Sequence, residues 1–135
     1  MTTKSTSILP NVLLAAVLCL GLAHARPRES ELRLEVSREW ADKGEYDKAV
    51  QELRLYLSEH PDSPDIYALI GSYRMKQGNF KLAGENYKIA LAKNPNLREA
   101  REGLAMAYEK AGDQVKAEEE RKKLGPVKHA VPPAA

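Results

Sequence analysis

Three histidines, one cysteine and 19 carboxylates are the side chains of this 135-residue chain that could do more than pack. Catalysis or metal binding would need several of them to converge. His60 falls at a helix end and His129 in a C-terminal stretch without periodicity, and no spacing of ligand types suits a metal. Glu118, Glu119 and Glu120 read as a solvated helix face, not as an acid/base pair. No Ser/His/Asp set is placed to meet, and no glycine-rich phosphate loop has the known spacing. The sequence therefore implies no enzyme, no cofactor, no metal and no small-molecule substrate. What remains is surface, and the chemistry of a surface is recognition.

Composition and the N-terminal segment narrow the setting. About 43% of the residues are apolar, but part of that sits in one run, Val12 to Ala23, preceded by Lys4. This run is shorter than the roughly 20 residues a bilayer-spanning helix needs. It suits the apolar region of a secretory signal, and Ala23-His24-Ala25 offers small residues for cleavage. The expectation is a signal peptide at 1–25, a short extension at 26–29, and an exported, periplasmic protein. The alternatives are secretion, or anchoring in the inner membrane by an uncleaved signal. A buried helix is opposed by Arg26-Pro27-Arg28, and lipid attachment at Cys19 by the bulky Leu18. Cleavage would remove Cys19, so no disulfide is expected and stability must come from packing. It would also remove Lys4, leaving Lys+Arg one ahead of Asp+Glu. That balance does not suggest a nucleic-acid partner.

The remainder must be positioned by helices. Apolar residues recur at spacings of three and four, and none alternate with period two. Gly44, Gly78 and Gly112 stop three helices, and their spacing is 34 and 34. "HPDSPD" and "NPN" separate the pairs. Six helices are predicted: about 31–43, 46–60, 64–77, 80–93, 97–111 and 114–124. The first presents Leu32, Val36 and Trp40. Ser63, Asn96 (with Glu99) and Asp113 are the expected N-caps, with Pro64 at a first helical position. The stretch 126–135 is expected to be disordered.

The register of Trp40, Gly44, Tyr46, Ala49 and Pro61, then Tyr67, Gly71, Gly78, Phe80, Ala83, Tyr87, Ala90 and Pro95, then Leu104, Ala105, Tyr108, Gly112 and Ala117, resembles the tetratricopeptide repeat family. The resemblance implies an all-α fold, a right-handed α-solenoid of about three helix-turn-helix hairpins at 30–63, 64–97 and 98–125. Small residues at 49, 71, 83, 105 and 117 then let paired helices approach. Gln114 and Arg121 depart from the pattern, and the polar last helix suits the end of an array. Arg74 stands where Trp40 and Tyr108 stand in the other repeats, and is expected to lie along the seam of its hairpin.

The resemblance also implies where a partner would dock. Family groove positions fall on Leu34, Arg38 and Ala41; on Ala68, Ser72, Met75 and Lys76; and on Glu102, Met106 and Glu109. Each set lies on one helix face. Leu34, Ala68, Met75 and Met106 would form an apolar strip, with Arg38 and Lys76 towards one end and Glu102 and Glu109 at the other. The slots that clamp a carboxylate tail in co-chaperone members hold Leu34, Arg38 and Leu69 here, so that ligand is not expected. The reading is a module that docks a protein or peptide, in a bacterial envelope assembly such as pilus, secretion or outer-membrane machinery. The alternative is a scaffold that self-associates through the first helix, as a homo-oligomer without a peptide ligand.

Overall fold

The computed structural model describes residues 29–125. The expected signal at 1–25, most of the 26–29 extension and the 126–135 stretch lie outside those residues. Among the described residues there are six helices and no strand: α1 Glu29–Asp42, α2 Tyr46–Glu59, α3 Pro64–Lys76, α4 Phe80–Lys93, α5 Arg98–Lys110 and α6 Gln114–Leu124. None of them is long and apolar enough to cross a membrane. They pair as hairpins, α1 with α2, α3 with α4 and α5 with α6, and successive hairpins stack. This is an all-α helical repeat fold.

The glycine turns are three copies of one structure. Gly44, Gly78 and Gly112 have φ of +76°, +75° and +86°, a region that residues with a Cβ rarely enter. In the first turn Gly44 N–H donates to the Ala41 carbonyl at 2.9 Å and Glu45 N–H to that of Trp40 at 2.8 Å. Gly78 with Asn79, and Gly112 with Asp113, repeat the pair. These bonds satisfy carbonyls that a helix end would otherwise leave free.

The predicted N-caps fare unevenly. Asp113 caps α6 by accepting from Lys116 N–H at 3.2 Å. Ser63 holds the cap position of α3, followed by Pro64, but its hydroxyl donates to the His60 carbonyl at 2.9 Å and caps nothing. Asn96 is not the cap of α5. That position is Leu97, while Asn96 N–H donates to Asn94 Oδ1 at 3.1 Å in a local turn. α1 starts at Glu29, ahead of its expected start. Its inward face agrees with expectation at Trp40, which packs against the core, but Leu32 is exposed, whereas Ser30 and Ser37 are buried and Leu34 and Ala41 also pack inward.

Two core clusters follow from the stacking. One gathers Ala49, Val50, Leu53, Leu57, Ile70 and Tyr73, the other Ala83, Tyr87, Ala90, Ala100, Leu104 and Ala107. Helix α3 lies against both α4 and α5, while the first hairpin joins the second chiefly through α2 against α3, and α1 meets α3 only through side chains such as Ser37 against Tyr73. The tighter junction is built on Tyr87. A Cβ on Gly71 would come 2.8 Å from its ring, and one on Gly103 only 2.4 Å. One aromatic ring therefore occupies the space that two absent side chains leave. Gly103→Ala gains about 0.5–1 kcal/mol of helix propensity, but the overlap with the ring costs about 1–3 kcal/mol. Net destabilisation in urea unfolding is expected, and a stabilised variant would contradict the wedge.

Ion pairs bridge the looser junction. Arg74 does not lie along its own hairpin's seam, as its position suggests. It reaches back to Asp47 in α2 at 2.7 Å and also donates to Gln77. The Arg74 hydrogen bond holds the Asp47 carboxyl below the usual carboxylate range. Lys93 likewise reaches Asp62, in the turn between α2 and α3, at 2.8 Å. Within hairpins, Arg33–Glu52 at 3.5 Å and Arg101–Glu120 at 3.0 Å are the same pair two repeats apart.

Candidate partner-binding face

The first helices of the hairpins, α1, α3 and α5, carry the ten groove residues expected from sequence, and the structure divides them. On α1, Leu34 and Ala41 are partly buried and pack against the first core cluster, leaving Arg38 as the exposed member. On α3, Ala68 and Ser72 line an open cleft of about 320 Å³ between α3 and α5, together with Asp65, Leu69, Tyr87, Leu97 and Glu99. Met75 packs against the second core cluster. Lys76 is exposed and sits 5.8 Å from the centre of the Tyr46 ring, at the junction with the first hairpin.

On α5, Glu102, Met106 and Glu109 line a separate depression of about 290 Å³ with Ala105, Arg121 and Leu124. Met106 is 52% exposed. Both carboxylates here are paired, Glu102 with Arg98 at 2.8 Å and Glu109 with Arg121. The expected strip of Leu34, Ala68, Met75 and Met106 is therefore not evenly open to solvent. Met106 is its most exposed member, and the other three serve the core as well.

The cleft between α3 and α5 has an apolar floor for identifiable reasons. Tyr87 closes its base, wedged by Gly71 and Gly103, and burial pushes its phenol above the usual tyrosine range, so it stays neutral. Ser72 spends its hydroxyl on the Leu69 carbonyl at 2.8 Å, as helical serines commonly do. The rim carries Asp65 and Glu99, each in the first turn of its helix. Sequence reasoning missed Leu69, Leu97 and both rim carboxylates as lining residues. The signal was available: Glu31, Asp65 and Glu99 recur at the 34-residue period. Among the described residues no three His, Cys, Asp or Glu side chains gather as a metal site would require.

A tetratricopeptide repeat family profile matches residues 69–122, a stretch that includes Gly71, Tyr87 and Gly103 of the tighter junction and all of the cleft lining except Asp65 and Ala68. The chain has a tetratricopeptide fold. It superposes on the tetratricopeptide domain of Sgt2 from Aspergillus fumigatus with TM-score 0.67 at 23% identity, covering 74% of this chain and 66% of that one. It is similar to the globular C-terminal domain of LpoP from P. aeruginosa (TM-score 0.67, 20% identity, 73% of this chain and 97% of that one). A third similar structure is the first repeat domain of Spaghetti (RPAP3) bound to the HSP90 peptide SRMEEVD, with TM-score 0.64 at 18% identity, covering 78% of this chain and 86% of that one. The chain thus spans just under two thirds of the Sgt2 domain's length. No curated protein matches it in sequence.

Proposed function

We propose that this chain is a tetratricopeptide-repeat protein and a non-enzymatic module that docks a partner protein or peptide on the face formed by α3 and α5. The observation that carries the reading is the open cleft between those helices, with an apolar floor and Met106 exposed on the same helix α5. Neither the floor nor the neighbouring depression brings together the groups that bond-making chemistry needs. The peptide on the Spaghetti domain supports the same use of the fold. The groove reading from sequence enters this proposal with Ala68, Ser72, Met106 and Glu109 as its accessible core and Arg38 and Lys76 as outlying cations.

The signal-like segment at 1–25 supports export, and with it a place in a bacterial envelope assembly. The balanced charge gives no support to a nucleic-acid partner. Capture of a binding protein from envelope extract, identified by mass spectrometry, tests the module, and Met106→Glu tests the face. That variant should reduce capture at least about tenfold, as truncating or charging an interface anchor does. Because Met106 is half exposed, helicity and melting temperature should hardly change. Undiminished capture would remove this face from the reading. Met75→Glu is a poorer probe, since Met75 also packs on the core.

One observation favours a second reading. Leu32 is 47% exposed on α1, a terminal helix of the described array that packs chiefly on α2, and could seat a second copy. Light scattering that finds a monomer at every concentration would dispose of it.

A further inference from the structure

The charges around the α3–α5 cleft are not balanced by their neighbours. Asp65 and Glu99 stand on its rim, 34 residues apart at equivalent places on adjacent helices, and Glu31 continues the row on α1. All three are exposed. Among the described residues none of them forms an ion pair. The cations nearest to Glu99 in sequence are engaged elsewhere. Arg98 holds Glu102 at 2.8 Å, Arg101 holds Glu120 at 3.0 Å and the Pro95 carbonyl at 2.8 Å, and Lys93 holds Asp62 at 2.8 Å. A carboxylate in a first helical turn also complements the helix dipole. That accounts for each acid singly, but not for an unfilled apolar cleft between two of them.

The floor says what kind of group fits. Ala68, Leu69, Leu97 and the Tyr87 ring offer apolar surface, and the Ser72 hydroxyl is already donated to the Leu69 carbonyl. At about 320 Å³ the cleft is at the small end of ligand sites. It has room for a side chain of an extended segment, not for a folded element.

We propose that this cleft takes an apolar side chain from a basic segment of a partner protein, with a flanking lysine or arginine held by Asp65 and Glu99. The proposal rests on the docking reading above and specifies the chemistry of its partner. Opposite charges across the rim would set the orientation of the segment and exclude acidic ones.

Fluorescence anisotropy on the full chain tests it, with a fluorescein-labelled probe of sequence Gly-Ser-Lys-Leu-Lys-Ser-Gly. Two controls replace both lysines by glutamate, or the leucine by serine. The lysine–leucine probe should bind at least about tenfold more tightly than either control. Its binding should weaken as salt approaches about 1 M, where charges are screened over about 3 Å. Asp65→Asn with Glu99→Gln should weaken it about tenfold, the loss expected of two exposed pairs, and remove most of the salt dependence. Circular dichroism of the double variant checks that the helices persist.

Equal binding of the glutamate probe, no binding of the lysine–leucine probe, or unchanged binding by the double variant would each overturn the proposal. If the double variant lowers only the melting temperature, the carboxylates serve the helix dipoles and the proposal falls. If the protein is a dimer that the double variant separates, the cleft belongs to a second copy and the proposal also falls. Failure of the docking reading looks different. There Met106→Glu leaves native capture intact, whereas a partner lost to Met106→Glu but kept by the double variant leaves the face standing without its basic ligand.

Discussion

Tyr87→Ala is expected to lower the free energy of unfolding by about 3–5 kcal/mol, at the upper range for large-to-small changes in a core. The ring is 5% exposed and belongs to the second core cluster. What makes the loss severe is the identity of its neighbours. Gly71 of α3 and Gly103 of α5 lie against the ring and have no side chain to swing into the vacated space. The cavity cannot collapse unless helices move, and cavities that persist cost most. A natural domain has only about 5–15 kcal/mol in hand, so the variant should be largely unfolded in mild urea. Tyr87→Phe keeps the ring and should keep most of the stability. A loss below about 1 kcal/mol for Tyr87→Ala would mean that the wedge does not hold the second and third hairpins together.

Leu53→Ala is the corresponding change one repeat earlier, and its expected cost is about 2–4 kcal/mol. Leu53 is fully buried in the first cluster. Here the equivalents of the two glycines, 34 residues upstream, are Ser37 and Leu69. Leu69 is only partly buried and can shift towards the hole, so the cost should stay below that of Tyr87→Ala. The distribution of the damage should differ too. Stability in stacked repeats is close to a sum of unit and neighbour terms, and the first hairpin has the weaker neighbour term. Hydrogen exchange should therefore show α1 and α2 opening while α4, α5 and α6 stay protected. Uniform acceleration across all six helices would contradict a looser first junction.

The same comparison shows which parts of the fold can be read along the chain. Gly44, Gly78 and Gly112 announce the turns, because only a residue without Cβ sits easily at positive φ. Pro64 and Asp113 mark helix starts, since their effects involve backbone groups at most a few residues away. Ser63 and Asn96 look just as good, and neither caps. The Ser63 hydroxyl had a competing acceptor in the His60 carbonyl, and Asn94 took the Asn96 N–H. A side chain with two possible local partners is not resolved by sequence.

The face of α1 was misjudged for a related reason. Leu32, Leu34 and Val36 spread apolar character around the helix, and a single neighbouring hairpin can cover only part of it. Which residues went inward was settled by packing against α2. Arg74 looks like a side chain lying along its own hairpin, yet it pairs with Asp47 because stacking brings the start of α2 within reach.

Sequence alone determined the all-helical class, the 34-residue period, the positions of the glycine turns and the small residues that close helix pairs demand. These depend on local backbone chemistry and on a repeat that can be counted. Tertiary structure alone decided which groove residues stay open, that Gly103 and Gly71 share one tyrosine ring, and that Asp65 and Glu99 flank an apolar cleft with the cations nearest to Glu99 in sequence paired elsewhere. Those properties belong to distances between helices, and each depends on how one hairpin settles against the next.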